Sequence, residues 1–256
     1  MTEQHSQMTK TACLHIRNTK NVGDLSCSPG DYFDFGQTEM LDFSQEAGVC
    51  DLAILGGGKT LKHCVTASIF KTAQAKHRIT WGVGIAQRDT DTAEFDILKG
   101  SCDLISTRNW DVENCDFVPC ASAMSPLFDH PANPQHEVVL FYHKSKSRHL
   151  MKPDGVPNLS NHDCNMREAL DFIASGATVV TNSYHGTYWA MCLGRRVLCL
   201  PFNRKFKQFR QNPVMSVPDD WLVDVVKAEP RFGTLQEARD RNRAFYEKVR
   251  NALPIW

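Results

Sequence analysis

Short apolar runs alternate with longer amphipathic stretches along the chain. Residues 11–16 and 51–55 are apolar and read as strands. Over 60–76, Leu61, Cys64, Val65, Ser68, Ile69, Thr72 and Ala73 fall on one face, and this period predicts a helix. A strand over 78–83, a short helix over 93–99 and a strand over 103–106 continue the alternation. A polar stretch with Ser125-Pro126, Pro131 and Pro134 then reads as a linker ending near His136. Beyond it the pattern restarts with strand 137–142, helix 166–174, strand 178–181, helix 185–193 closed by Gly194, and strand 196–200. Residues 145–162 are polar and punctuated by Pro and Gly, as in a surface loop. A last helix, 234–252, keeps Leu235, Ala238, Phe245 and Val249 on one side. This order predicts an α/β protein with mostly parallel sheets covered on both faces. We expect two Rossmann-like units facing across a cleft, 1–130 and 136–256, with the last helix packing back on the first.

Composition sharpens the picture through its asymmetry. The 256 residues hold 29 Lys plus Arg and 29 Asp plus Glu, a net charge of zero. Residues 1–135 carry 11 basic and 17 acidic side chains, whereas 136–210 carry 11 basic and 5 acidic. A neutral total argues against nucleic acid as a partner, while the basic middle suits a local anion site. No apolar run approaches the ~20 residues that span a bilayer, and the polar start lacks the apolar core of a signal peptide. The ten cysteines include no Cys-x-x-Cys, and several lie in apolar runs such as Val197-Leu198-Cys199-Leu200. Buried free thiols in a cytoplasmic protein, with no metal site, are expected.

Gly56-Gly57-Gly58-Lys59-Thr60, after a strand and before a helix, invites a P-loop reading. That pattern requires glycine at position 53, where Ala53 still belongs to the apolar run. The triplet can bring backbone N–H groups close to an anion, or serve only as a tight turn. Trp81-Gly82-Val83-Gly84 has two glycines of a dinucleotide fingerprint, but Gln87 replaces the third. Thr181-Asn182-Ser183-Tyr184-His185-Gly186-Thr187 is more informative. A strand runs into a polar turn and a helix that Ser183 can cap, and His185 falls in the first helical turn, at the strand end where open α/β sheets place ligands. The helix N-terminus there disfavours the imidazolium. Asn203-Arg204-Lys205-Phe206-Lys207-Gln208-Phe209-Arg210 reads either as a solvated face or as a cation source beside His185. Arg108 is the comparable cation of the first unit, and one cation from each would clamp a phosphate or carboxylate.

In sequence order, Asn21-Val22-Gly23-Asp24, Leu55-Gly56-Gly57-Gly58, Trp81-Gly82-Val83-Gly84, Ile105-Ser106-Thr107-Arg108, Val118-Pro119-Cys120-Ala121-Ser122, Asn182-Ser183-Tyr184-His185-Gly186 and Arg204-Lys205-Phe206 follow one another. This series resembles the polysaccharide pyruvyl transferase family over nearly the whole chain. The resemblance implies a fold like that of GT-B glycosyltransferases. It also implies transfer of a pyruvyl group from phosphoenolpyruvate to two hydroxyls of a glycan sugar, forming a cyclic ketal. Phosphoenolpyruvate is then the donor substrate, with no further cofactor.

Such a reaction needs a general acid for C3 of the donor, an anion clamp and, in principle, no metal. By resemblance His185 is the acid, and Arg108 and Lys205 hold the anion. Asp24 orients or deprotonates a hydroxyl near Gly56, Gly57 and Gly58 on the acceptor side. Where some members carry Arg two residues before the His, this chain has Ser183, so Arg204 or Arg17 would complete the clamp. Others carry Asp-Pro where Pro119-Cys120-Ala121-Ser122 stands. A lipid-linked saccharide acceptor would bring peripheral membrane contact, although no basic amphipathic helix marks an anchor. Two alternatives remain: a nucleotide-sugar glycosyltransferase of the same architecture, and a non-catalytic glycan- or anion-binding relative.

Overall fold

The computed structural model describes residues 8–85 and 92–256. The first sheet contains β1 (Lys10–His15), β2 (Gln37–Asp42), β3 (Cys50–Gly56) and β4 (Ala75–Trp81), all parallel, in the order β2-β1-β3-β4. Parallel bridges Ile79–Leu104 and Val83–Thr107 extend it to the short strands β5 (Ser106–Thr107) and β6 (Asp116–Phe117). The second sheet contains β7 (His136–Tyr142), β8 (Asn158–Ser160), β9 (Gly176–Thr181), β10 (Arg196–Cys199) and β11 (Val214–Met215), again all parallel. Its order is β11-β10-β9-β7-β8. In each sheet the chain starts inside, steps to one edge and returns past its start. This leaves a topological switch point between β1 and β3 and another between β7 and β9, and their carboxyl ends are where such sheets take ligands.

The helices are α1 (Val22–Leu25), α2 (Leu61–Thr66), α3 (Thr92–Ser101), α4 (Met166–Ala174), α5 (Tyr184–Cys192), α6 (Trp221–Asp224) and α7 (Thr234–Ala252). Asn165 and Glu168 form a reciprocal capping box at α4, which satisfies two otherwise orphaned N–H groups. At 19 residues, or about 28 Å, α7 is long enough to serve both units. Its start packs Ala238 into the core of β7, β9 and α5. Its end packs Phe245 and Val249, with Leu253 just beyond it, against Leu52, Ile54, Ile79 and Trp81 of the first sheet.

Several elements differ from the sequence pattern. The expected helix 60–76 is α2 followed by one wide turn, Ala67–Lys71, and Ala75 already belongs to β4. The hydroxyls of Thr66, Ser68 and Thr72 bond to the carbonyls of Lys62, Val65 and Ala67, and such competition ends helices. β2 was hidden because its sequence, Gln-Thr-Glu-Met-Leu-Asp, is that of a polar edge strand. β8 lies inside the stretch expected to be loop, also at a sheet edge. The expected linker is not free at its start: Ser125 and Phe128 are buried, and Cys120, Ala123 and Phe128 join the core of the second unit. No helix among the described residues is long and apolar enough to cross a membrane.

Candidate functional site

From the first unit, the loop after β1 leads into α1. Asn21 caps it, accepting from the Gly23 N–H at 3.2 Å and donating through Nδ2 to Asp24 Oδ2 at 2.8 Å. Asn21 also reaches the second unit, because Asn161 Nδ2 donates to Asn21 Oδ1 at 2.8 Å and the Val22 N–H donates to the Asn161 carbonyl at 2.9 Å. The glycine triplet after β3 adopts φ of 140°, 84° and 77°. The Gly57 N–H is spent on the Trp81 carbonyl at 3.0 Å. A side chain at Gly57 would meet Cys27 Sγ at 2.6 Å, and one at Gly58 would come within 3.3 Å of Asp24 Oδ1. Gly56 and Gly57 therefore let chains pass closely, and Gly58 borders Asp24. Arg108 follows β5 and is buried.

From the second unit, the turn after β9 leads into α5. Ser183 Oγ accepts from the Gly186 N–H at 3.3 Å, so its hydroxyl oxygen serves the cap. Tyr184 presents one face to Arg108, whose Cζ lies 3.8 Å from the ring centroid. Phe209 stacks on Tyr184 at 4.6 Å with 15° between planes. His185 is buried between Gly23, Tyr184, Trp189 and Cys120. Lys205, in the short helical turn Arg204–Lys207 after β10, lies 5.9 Å from the Tyr184 centroid. The structure thus brings Asp24, Gly58, Arg108, Ser183, His185 and Lys205 to one place. A narrow crevice between the units, lined by Arg108, Cys120, Tyr184, Tyr188 and Phe209, adjoins them. Arg17 and Arg204 are exposed, unlike the buried Arg108, Ser183 and His185.

The electrostatics favour an anion. Arg108 Nη1 is buried without a hydrogen-bond partner. Among the described residues neither Arg108 nor Lys205 pairs with a carboxylate within ion-pair distance, although Asp24 is near enough to feel both charges. Burial, then Arg108, lowers the Lys205 ammonium to about 8, against the opposing pull of Asp24. Burial raises the Asp24 carboxyl above its ordinary value, and Arg108 and Lys205 pull it back. Burial also holds His185 well below the usual imidazole range, reinforced by Arg108, Lys205 and His143. Desolvation and neighbouring cations thus act in the same direction as the helix terminus, and together they disfavour the imidazolium. An anion on Arg108 and Lys205 would offset those two charges and make the imidazole easier to protonate.

Sequence reasoning missed three neighbours. Tyr184 carries the aromatic face between the units, and only its position beside His185 hinted at it. Cys120, 3.6 Å from His185 Nε2, lies in the quoted Pro119–Ser122 stretch without a signal of its own. His143 follows β7 at the switch point. Its Nδ1 is buried without a partner, and burial, with Lys205 and His162, lowers it to about 4. Among the described residues no three of His, Cys, Asp and Glu converge as metal ligands.

No family model matches the chain, and no curated protein matches it in sequence. Among solved structures it is similar to a Listeria monocytogenes protein assigned as a UDP-N-acetylglucosamine 2-epimerase, with TM-score 0.53, 8% identity, and 92% of this chain and 90% of that one covered. It is also similar to the UDP-GlcNAc 2-epimerase of Methanocaldococcus jannaschii, with TM-score 0.51, 9% identity, and coverage of 94% and 99%. The wall teichoic acid polymerase TagF overlaps more loosely, at TM-score 0.41 and 11% identity over 93% and 82%. At such identities the likeness shows architecture. The chain has a GT-B-like α/β fold of two Rossmann-like units facing across a cleft.

Proposed function

We propose that the protein is a group-transfer enzyme whose cleft holds an anionic donor between Arg108 and Lys205. The donor we assign is phosphoenolpyruvate, and the product a pyruvate ketal on two hydroxyls of a glycan sugar. The observation that carries this reading is the buried Arg108 guanidinium with Nη1 unpartnered. A buried unpaired donor is costly, and a phosphate or carboxylate beside it would offset that cost. The order of motifs quoted above supports the choice of donor.

In this reading the bound anion offsets the charges of Arg108 and Lys205, His185 takes up a proton, and the imidazolium gives a proton to C3 of the donor, which leaves C2 electron-poor. One sugar hydroxyl adds at C2 and its proton passes to Asp24, whose raised affinity for protons suits a base. The second hydroxyl then displaces phosphate and its proton leaves with the phosphate toward Arg108 and Lys205, while the proton on Asp24 returns to His185 through solvent and restores both residues. The balance is one phosphoenolpyruvate and one diol consumed, one ketal and one phosphate formed.

A second reading, nucleotide-sugar chemistry, draws on the fold. The two solved structures with the higher TM-scores are described as UDP-GlcNAc 2-epimerases. One assay separates the two. The protein is incubated with phosphoenolpyruvate, UDP-sugars and a panel of saccharide acceptors, and phosphate, nucleotide and acceptor mass are followed. Acceptor-dependent phosphate release with a pyruvylated product supports the first reading. Nucleotide release or sugar epimerisation without any response to phosphoenolpyruvate replaces it with the second.

A further inference from the structure

Four buried side chains, two on α5 and two on the segment that leaves the first unit, form a chain ending on His185. Trp189 Nε1 donates to Ser122 Oγ at 3.0 Å, and Ser122 Oγ donates to Cys120 Sγ at 3.2 Å. Cys120 Sγ then lies 3.6 Å from His185 Nε2. Trp189 and His185 belong to α5, whereas Ser122 and Cys120 belong to the segment leaving the first unit. All four are 5% exposed or less, so bulk water does not supply competing partners.

The direction of the first links follows from the first member. An indole N–H only donates, so Ser122 must accept there and has its single hydrogen left for Cys120. With the sulfur accepting from Ser122, its single hydrogen is available to His185 Nε2, a far better acceptor than a thiol sulfur. That nitrogen then accepts, and a neutral imidazole that accepts at Nε2 carries its proton on Nδ1. We propose that Cys120 is a positioning residue for His185, holding it in the Nδ1–H tautomer by a one-way hydrogen-bonded relay that starts at Trp189, passes through the segment that leaves the first unit and returns to α5.

Nδ1 is the nitrogen turned toward Gly23 and α1, on the side of the first unit that carries Asp24. The relay therefore fixes the proton of the neutral ring on Nδ1, so that once an anion has offset the nearby cations and Nε2 takes up a proton, the imidazolium faces the first unit through Nδ1–H. The functional meaning of this rests on reading His185 as the proton donor of the transfer, but the tautomer itself does not depend on it.

The test uses the ligand-free full chain with 15N-labelled histidine, and reads long-range 1H–15N correlations of His185 at neutral pH. The expected wild-type result is a protonated Nδ1 and an unprotonated Nε2. Cys120→Ala should lose this preference and give mixed tautomers, whereas Cys120→Ser, which keeps a donor, should retain it. Ser122→Ala removes only the preceding hydroxyl, supplies a milder break if Cys120→Ala fails to fold, and should likewise give a mixture. A wild-type protein protonated on Nε2, or alanine variants with the wild-type pattern, would overturn the proposal. The readout needs no substrate, so it decides the tautomer even where pyruvyl transfer fails.

Discussion

Gly23 lies so close to His185 that a methyl group on its Cα would stand 2.0 Å from Nδ1 and 2.3 Å from Cγ. The backbone of α1 in one unit is thus the wall against which the imidazole of the other is set. Gly23→Ala must push the ring off its Cys120 contact or part the units. Overpacking of this kind costs about 1–3 kcal/mol. We expect a lower urea midpoint together with loss of most turnover, measured as acceptor-dependent phosphate release. A variant with wild-type stability and activity would show that the contact does not constrain the ring.

Arg108 should separate stability from binding. Its guanidinium is buried with Nη1 unsatisfied, so Arg108→Met removes a desolvated charge while keeping much of the packing on Tyr184. We expect unfolding stability equal to or above wild type, as at sites that trade stability for function. Affinity for phosphoenolpyruvate, measured by calorimetry, should fall by the equivalent of about 1.5–3 kcal/mol, the usual worth of a hydrogen bond to a charged group. Destabilisation with unchanged affinity would make Arg108 a structural residue.

The two sheets were legible because their central strands are continuous apolar runs, such as Leu52–Leu55 and Val197–Leu200, all fully buried. The edge strands β2 and β8 were not, since a half-solvated edge can be written in polar residues. Within the site, Ser183 and His185 were readable from a strand–turn–helix transition. The Arg108–Tyr184 stack and the Trp189–Ser122–Cys120–His185 relay join residues far apart in sequence. Nothing local marks such pairs: Cys120 reads as another small buried thiol until the packing of α5 against residues 120–123 is known.

Lys205 predicts a pH dependence of anion binding. Its ammonium is lowered to about 8 in the free protein by burial and by Arg108. The charged form is present below that value and disappears above it. An anion that needs the charge should therefore bind with constant affinity below pH 8 and progressively more weakly above, approaching a tenfold loss per pH unit. Calorimetric titration with inorganic phosphate and with phosphoenolpyruvate between pH 7 and 9.5 reads this directly, once the phosphates' own ionisation is subtracted. Lys205→Met should bind more weakly at pH 7 and show a flat profile. A flat wild-type profile would remove Lys205 from the clamp.

Asn242 occupies the point at which α7 passes from one unit to the other, and it is fully buried. Its Oδ1 accepts from Trp81 Nε1 at 2.8 Å, and its Nδ2 donates to the carbonyls of Pro119 at 3.1 Å and Ala238 at 2.8 Å. One side chain therefore ties the end of β4 and the segment leading to Cys120 to the helix that spans both sheets. Asn242→Leu keeps the volume but strands the Trp81 N–H and the Pro119 carbonyl without partners, at about 1–3 kcal/mol for each buried group. The loss should appear in chemical denaturation. Trp81→Phe made in the N242L background should cost less than Trp81→Phe alone, because the indole N–H it removes no longer has a partner to lose. Additive losses would mean that the Trp81–Asn242 hydrogen bond contributes nothing to holding α7 on the first unit.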